Sequence, residues 1–192
     1  SSRFQNAFAD WRGRKLAPLL QIFARMRIQP NMLTGMSMLS SLLLPLGFLF
    51  SPVLLITLYA THALLDGLDG ALARYLGTAS EKGSYLDIVA DHVPLLVLTL
   101  SVQLFGMSDP FWVLLYALCY VLIVVHAIAI NARGASLSLP ILRSRHILFG
   151  LLALQMYSIL PLSVLDLFFQ VFGVYYAVML VYCIASFHSH LA

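Results

Sequence analysis

From Met32 onward the chain is a succession of long apolar runs, each closed after about five to six helical turns by residues that favour turns. A helix rises 1.5 Å per residue, so about 20 mostly apolar residues are needed to cross the hydrocarbon of a bilayer. Six stretches meet or approach that length: Met32–Phe50, Val53–Arg74, Ser84–Phe105, Phe111–Asn131, His146–Leu162 and Leu167–Phe187. Ser51-Pro52, Gly106 through Pro110, and Pro161 through Asp166 supply turn chemistry between them. The first residues follow a different pattern. Phe4, Phe8 and Trp11 recur at i, i+4 and i+7, and Leu16, Leu19, Leu20 and Phe23 continue the stripe among basic residues. This segment reads as an amphipathic helix lying on an anionic leaflet, or as a helix packed on the ends of the bundle. The pattern therefore predicts an all-α polytopic membrane protein. Residues 1–29 form the amphipathic segment, and residues 30–192 form a domain of six transmembrane helices.

Composition narrows the class. Of 192 residues, 61% are hydrophobic and 10% are charged, where a soluble domain carries roughly 25% charged residues. Too little polar surface exists to face water on every side, so lipid solvates much of the chain. Cys119 and Cys183 lie inside apolar runs and read as small buried hydrophobes. Arg25 and Arg27 interrupt the apolar stretch after Arg14 and Lys15, so no secretory signal sequence is expected there. No nucleic-acid partner is expected.

The basic residues orient the bundle. Six precede the first span (Arg3, Arg12, Arg14, Lys15, Arg25 and Arg27), Arg74 and Lys82 bracket the link between spans two and three, and Arg133, Arg143 and Arg145 bracket the link between spans four and five. The opposite links hold Asp109 and Asp166 as their charges and no Lys or Arg. The bias of Lys and Arg toward the cytoplasmic side then places both termini and the basic links in the cytoplasm. The expected setting is the plasma membrane of a prokaryote.

Candidate chemistry is concentrated where it is most expensive. Four of the eight acids, Asp66, Asp69, Asp87 and Asp91, sit at the inner ends of two successive spans. A carboxylate at mid-span costs roughly 2.5–3.5 kcal/mol on insertion scales, less toward the interface. Asp66 and Asp69 are three residues apart, and Asp87 and Asp91 four apart, so each pair shares one helical face. The short link predicts an antiparallel hairpin whose acidic faces converge into one cluster of four carboxylates. Such a cluster needs cations in a low dielectric, and hard oxygen donors suit Mg²⁺, Mn²⁺ or Ca²⁺. Two ions bridging the helices would suit phosphoryl chemistry. Gly67, Gly70, Ala71, Ala73 and Gly83 strip bulk from the same surface, either for close helix packing or for a ligand approaching the backbone. Arg74 is either a phosphate ligand or an interfacial anchor.

Taken whole, the segment from Asp66 to Asp91 reads D-x2-D-G-x2-A-R-x8-G-x3-D-x3-D. It resembles the signature of the CDP-alcohol phosphotransferase (CDP-alcohol phosphatidyltransferase) family, with every fixed position filled. Pro30-Asn31-Met32-Leu33-Thr34 is similar to a Pro-Asn-x-Leu-Thr element common in these enzymes. The resemblance implies a transferase that moves a substituted phosphate from a CDP-alcohol, expected to be CDP-diacylglycerol, to an alcohol, with release of CMP. By that resemblance Asp66, Asp69, Asp87 and Asp91 are metal ligands for two Mg²⁺ or Mn²⁺ ions, and Asp91 is also the general base. Asn31, Thr34, Asp66, Asp69, Gly70, Ala73, Arg74 and Gly83 form the nucleotide site. The resemblance also implies a homodimer.

The acceptor is less determined. Lys82, Arg133, Arg143 and Arg145 lie near the inner face and either bind a phosphorylated acceptor or set topology. Glycerol 3-phosphate, giving phosphatidylglycerophosphate, is the first expectation; inositol phosphate, inositol, serine and amino alcohols are alternatives. His62 and His92 adjoin the acids and either touch the site or are satisfied by helix neighbours. A function of another class, cation or proton transport, also uses intramembrane carboxylates. Here, however, the acids gather on one side and no second set continues a path across the membrane.

Overall fold

The computed structural model describes residues 16–131 and 144–189, apart from the side chains of residues 81, 82, 84, 87, 131 and 187–189. Among the described residues all regular structure is helical: α1 (Leu16–Arg25), then α2 (Pro30–Leu42), α3 (Leu44–Phe50), α4 (Pro52–Tyr75), α5 (Glu81–Leu104), α6 (Pro110–Asn131), α7 (Ser144–Met156) and α8 (Leu162–Ser189). The helices occur where the apolar runs predict them, and their ends follow local chemistry. The run expected as one helix from Met32 to Phe50 is two, because Pro45 removes an amide and crowds the turn before it, leaving a break at Leu43. Ser51 caps α4 by accepting from the Leu54 amide at 3.1 Å, with Pro52 in the first turn. Gly77, at φ +66°, ends α4: its amide donates to the Arg74 carbonyl and that of Thr78 to the Ala73 carbonyl. Ser80 then caps α5 through the Gly83 amide. One boundary differs more from expectation. α7 stops at Met156 and α8 starts at Leu162, so Asp166 lies inside α8 rather than in the link before it.

Among the described residues three segments are long and apolar enough to cross a membrane by length and composition: Pro30–Phe50, Pro110–Ile130 and Leu162–Ser186. α4 and α5 each have 24 residues, enough for about 36 Å at 1.5 Å per residue, but carry the acids and basic residues of the motif at their facing ends. α7 has 13 residues. The chain is an integral membrane protein.

Two clusters organise the packing. In the larger, α6 and α8 run together through Tyr116, Tyr120, Phe168, Phe169 and Tyr176, joined by Leu95, Leu98 and Val102 of α5 and Leu148 and Leu152 of α7. The Ser144 hydroxyl sits between the hydroxyls of Tyr116 (2.8 Å) and Tyr176 (2.7 Å), so these buried polar tips satisfy one another. The smaller cluster joins α1, α2 and α4 through Leu20, Leu33, Ala71 and Leu72. α1 thus docks on the bundle through Leu20, while Leu19, Ile22 and Met26 remain exposed. The part of the amphipathic segment before residue 16 lies outside the described residues.

Thr34, Ser37 and Ser41 form a small polar stripe on α2, and all three are buried. Small residues let membrane helices approach closely, and α2 here packs along α4 and also reaches α5. α4 and α5 touch each other less than each touches α2. Opposite the motif, the Asp166 carboxylate accepts from the Ser108 hydroxyl (2.6 Å) and the Asp109 amide (3.1 Å), tying the α5–α6 link to α8.

Candidate functional site

A cavity of about 430 Å³ opens where the start of α2, the end of α4 and the start of α5 meet. Its walls include Asn31, Thr34, Asp69, Gly70, Ala73, Arg74 and Gly83. These are the residues expected at a nucleotide site, Asp66 excepted, and they come from three helices. Gln29, Pro30, Leu76, Thr78, Ala79 and Ser80 complete the lining. Sequence reasoning missed these six. The readable signal was the length of the link between Arg74 and Gly83, which had to wrap something.

Local structure explains each position. The Gly77 turn sends residues Thr78–Ser80 back across the mouth. Gly70 and Ala73 leave the α4 wall low, and a Cβ added at Gly70 would meet Arg74 Nη1 at 3.5 Å. The guanidinium therefore folds back over Gly70 at the cavity. Gly83 lies in the first turn of α5, where its amide is held by the Ser80 hydroxyl, and both residues line this wall.

Asp69 is 3% exposed. It accepts from the Thr34 hydroxyl at Oδ2 (2.6 Å) and from the Gly70 amide at Oδ1 (2.5 Å). Thr34 also contacts the Pro30 carbonyl at 3.2 Å, so the Pro-Asn-x-Leu-Thr element is locked to the acidic motif through one hydroxyl. Asp66 lies three residues before Asp69 and is half-buried.

Asp91 stands on α5 and meets Arg145 from the first turn of α7. Arg145 is buried, and its Nη1 donates to Asp91 Oδ1 (2.5 Å) and to the Asp91 main-chain carbonyl (2.6 Å). Asp66 also acts electrostatically on Arg145, so one guanidinium serves acids on both helices. Among the described residues no three acids, histidines or cysteines surround one point. The Asp87 and Lys82 side chains lie outside the described residues, as do Arg133 and Arg143. Arg145, the expected acceptor cation whose side chain is described, meets Asp91.

The histidines are hydrogen-bonded within the bundle. His62 Nδ1 pairs with the Ser37 hydroxyl at 2.7 Å between α2 and α4, and His92 Nδ1 contacts the Ile88 carbonyl one turn back at 2.5 Å.

The donor set fits a hard divalent cation. Asp66 and Asp69 present oxygen ligands one turn apart, and Mg²⁺ is commonly held by one or two carboxylates plus substrate phosphates. The cavity thus joins one buried carboxylate, Asp69, to the Arg74 guanidinium.

Comparison with known proteins bears on this site. A model of the CDP-alcohol phosphatidyltransferase family matches residues 27–186. An archaetidylinositol phosphate synthase of Aeropyrum pernix is 37% identical over 81 residues, 41% of this chain and 42% of that protein. A CDP-diacylglycerol–serine O-phosphatidyltransferase of Mycobacterium bovis is 32% identical over 145 residues, 68% of this chain and 51% of its own length. The chain thus spans about half the length of the curated relatives it matches.

Proposed function

The chain belongs to the CDP-alcohol phosphatidyltransferase family, and on that premise we propose that it joins a CDP-activated lipid to an alcohol at the cytoplasmic face of a prokaryotic plasma membrane. The observation that carries the reading is the cavity itself, lined by Asp69, Gly70, Ala73, Arg74 and Gly83 of the motif on α4 and α5 together with Asn31 and Thr34 of α2.

In this reading the CDP moiety of CDP-diacylglycerol, or of a related CDP-alcohol, occupies the cavity. Gly70, Ala73 and Gly83 give it room, and Arg74 faces its diphosphate. Asp66, Asp69 and Asp87 hold Mg²⁺ or Mn²⁺, with Asp91 contributing. Bound there, the metal would neutralise diphosphate charge and ease departure of CMP. Asp91 takes the proton from the acceptor hydroxyl as that oxygen bonds to the lipid-linked phosphorus. The bond from phosphorus to the CMP oxygen breaks, and CMP leaves with the electron pair. The protein's own part is positioning and electrostatics, as phosphoryl transfer requires.

The acceptor we propose is a phosphorylated alcohol, glycerol 3-phosphate or inositol phosphate. Supporting this, Arg145 is a buried cation beside Asp91, and only one of its terminal nitrogens is used in hydrogen bonds among the described residues. By their names, the relatives include one producing archaetidylinositol phosphate and one acting on serine, so serine stays on the panel. The six-span topology, the α1 segment resting on the inner leaflet, and a homodimer belong to the same proposal.

The deciding experiment measures CMP release by purified protein with CDP-diacylglycerol and Mg²⁺ or Mn²⁺, over glycerol 3-phosphate, inositol phosphate, inositol, serine and choline. Release with one phosphorylated acceptor, lost in Asp91→Asn, is expected. Release with serine alone would remove the acceptor assignment and leave the chemistry. No release with any acceptor, together with no thermal stabilisation by CDP or CMP, would remove the transferase reading.

A further inference from the structure

We infer that Tyr59 and His146 form a strut that positions Arg145, and through it the Asp91 carboxylate, for the transfer reaction; the inference rests on the reading of Asp91 as general base. Neither residue belongs to the spaced motif, and neither lines the cavity.

The geometry runs across three helices. Tyr59 is 5% exposed on α4, two turns before the acids, and its hydroxyl lies 2.8 Å from His146 Nδ1. Its ring is stacked on Phe149 of α7, with centroids 3.7 Å apart and planes 7° from parallel, so the tyrosine can hardly rotate away. His146 Nε2 in turn faces Arg145 Nε at 3.4 Å, a long bond. A guanidinium can only donate, so Nε2 is the acceptor and the ring proton resides on Nδ1, donating to the Tyr59 oxygen. This is one self-consistent proton arrangement. It leaves Arg145 Nη1 aimed at two oxygens of one residue, the Asp91 carboxylate and its main-chain carbonyl.

Pro94 lies inside α5 and has no amide to offer the Ala90 carbonyl. Arg145 bonds the next residue, at the Asp91 carbonyl and carboxylate. The flexible Arg145 stem is in turn held at Nε by His146, which Tyr59 holds from the other ring nitrogen. Groups that orient a catalytic group through a hydrogen bond commonly change rate without touching the substrate.

Tyr59→Phe removes one oxygen and keeps the stack on Phe149; His146→Ala removes the middle of the strut. Steady-state kinetics would be run on the whole protein with CDP-diacylglycerol and whichever acceptor of the panel supports CMP release. Each variant is expected to lower kcat about tenfold while the KM for CDP-diacylglycerol stays within about twofold. Stabilisation by CMP should be retained in both variants. If His146→Ala fails to bind CMP, Tyr59→Phe alone decides. Turnover of both variants at the parent rate, with Asp91→Asn inactive, would overturn the strut and spare the general base. An unchanged kcat with a raised acceptor KM would also overturn it, assigning the strut to acceptor binding. Full activity of Asp91→Asn, or a silent parent protein, would instead remove the reading beneath it.

Discussion

Thr34 shows how one hydroxyl can carry several constraints. It donates to a carboxylate that is 3% exposed, at 2.6 Å, and so links the entrance of α2 to the acidic end of α4. A hydrogen bond to a charged group contributes about 1.5–3 kcal/mol, and a buried acceptor left without its donor also loses solvation. Thr34→Val keeps the shape and removes the donor. Its thermal midpoint in detergent should fall, and stabilisation by CMP should weaken with it. An unchanged midpoint would mean that Asp69 does not depend on this donor. Gly70 tests the opposite case. A Cβ there would make only an ordinary contact with Arg74, at 3.5 Å, so Gly70→Ala should fold normally. It would also fill cavity space beside the guanidinium, so CMP should stabilise the variant less than the parent in the same thermal assay. At this scale much of the site was legible. Asp66, Asp69 and Arg74 announced themselves because charges are costly in spans and need a reason, and Gly70 and Gly83 by their spacing from those charges. Tyr59 and His146 did not, since an isolated tyrosine or histidine in an apolar helix is ordinary.

At the scale of elements, boundaries followed caps and prolines that the sequence displays, while packing did not follow from the sequence. The α3–α4 turn is the tightest crossing. A Cβ at Gly47 would lie 2.6 Å from Leu55 Cα and Cβ, so backbone would have to move. Gly47→Ala should therefore destabilise by about 1–3 kcal/mol, read as a lower thermal midpoint with nucleotide affinity unchanged in the folded fraction. A neutral result would show that the two helices can part without cost. Spacing placed Asp66 with Asp69 and Asp87 with Asp91 on shared faces, but it also suggested that those faces meet directly. Among the described residues the two helices share Arg145, which bonds Asp91 of α5 and feels Asp66 of α4, while α2 packs against both helices through its stripe of Thr34, Ser37 and Ser41. A helical period states which residues share a face; it does not state which helix that face will meet.

At the scale of the molecule, the two ends differ in chemistry. One carries the cavity, Arg74, Arg145 and the acids; the other carries the Asp166–Ser108–Asp109 clasp. Single cysteines test the proposed orientation, after Cys119 and Cys183, both buried, are replaced. Thr78→Cys at the cavity mouth should react with an impermeant maleimide only after cells are opened, and Ser163→Cys at the start of α8 should react in intact cells. The reverse pattern would invert the topology.

The sequence by itself determined the helical class, the lipid solvent, the ends of most helices and the identity of the acidic motif. Each of these is written in local terms: apolar run length, capping chemistry, and the spacing of residues on one helix. Only the tertiary structure decided that α2 packs against both α4 and α5, that Thr34 reaches Asp69 across 35 positions, and that Arg145 reaches Asp91 across 54. Those contacts depend on how whole helical faces pack against one another. In a membrane protein that choice rests on small residues and on a few buried polar groups finding partners, and no local pattern along the chain specifies which partner is found.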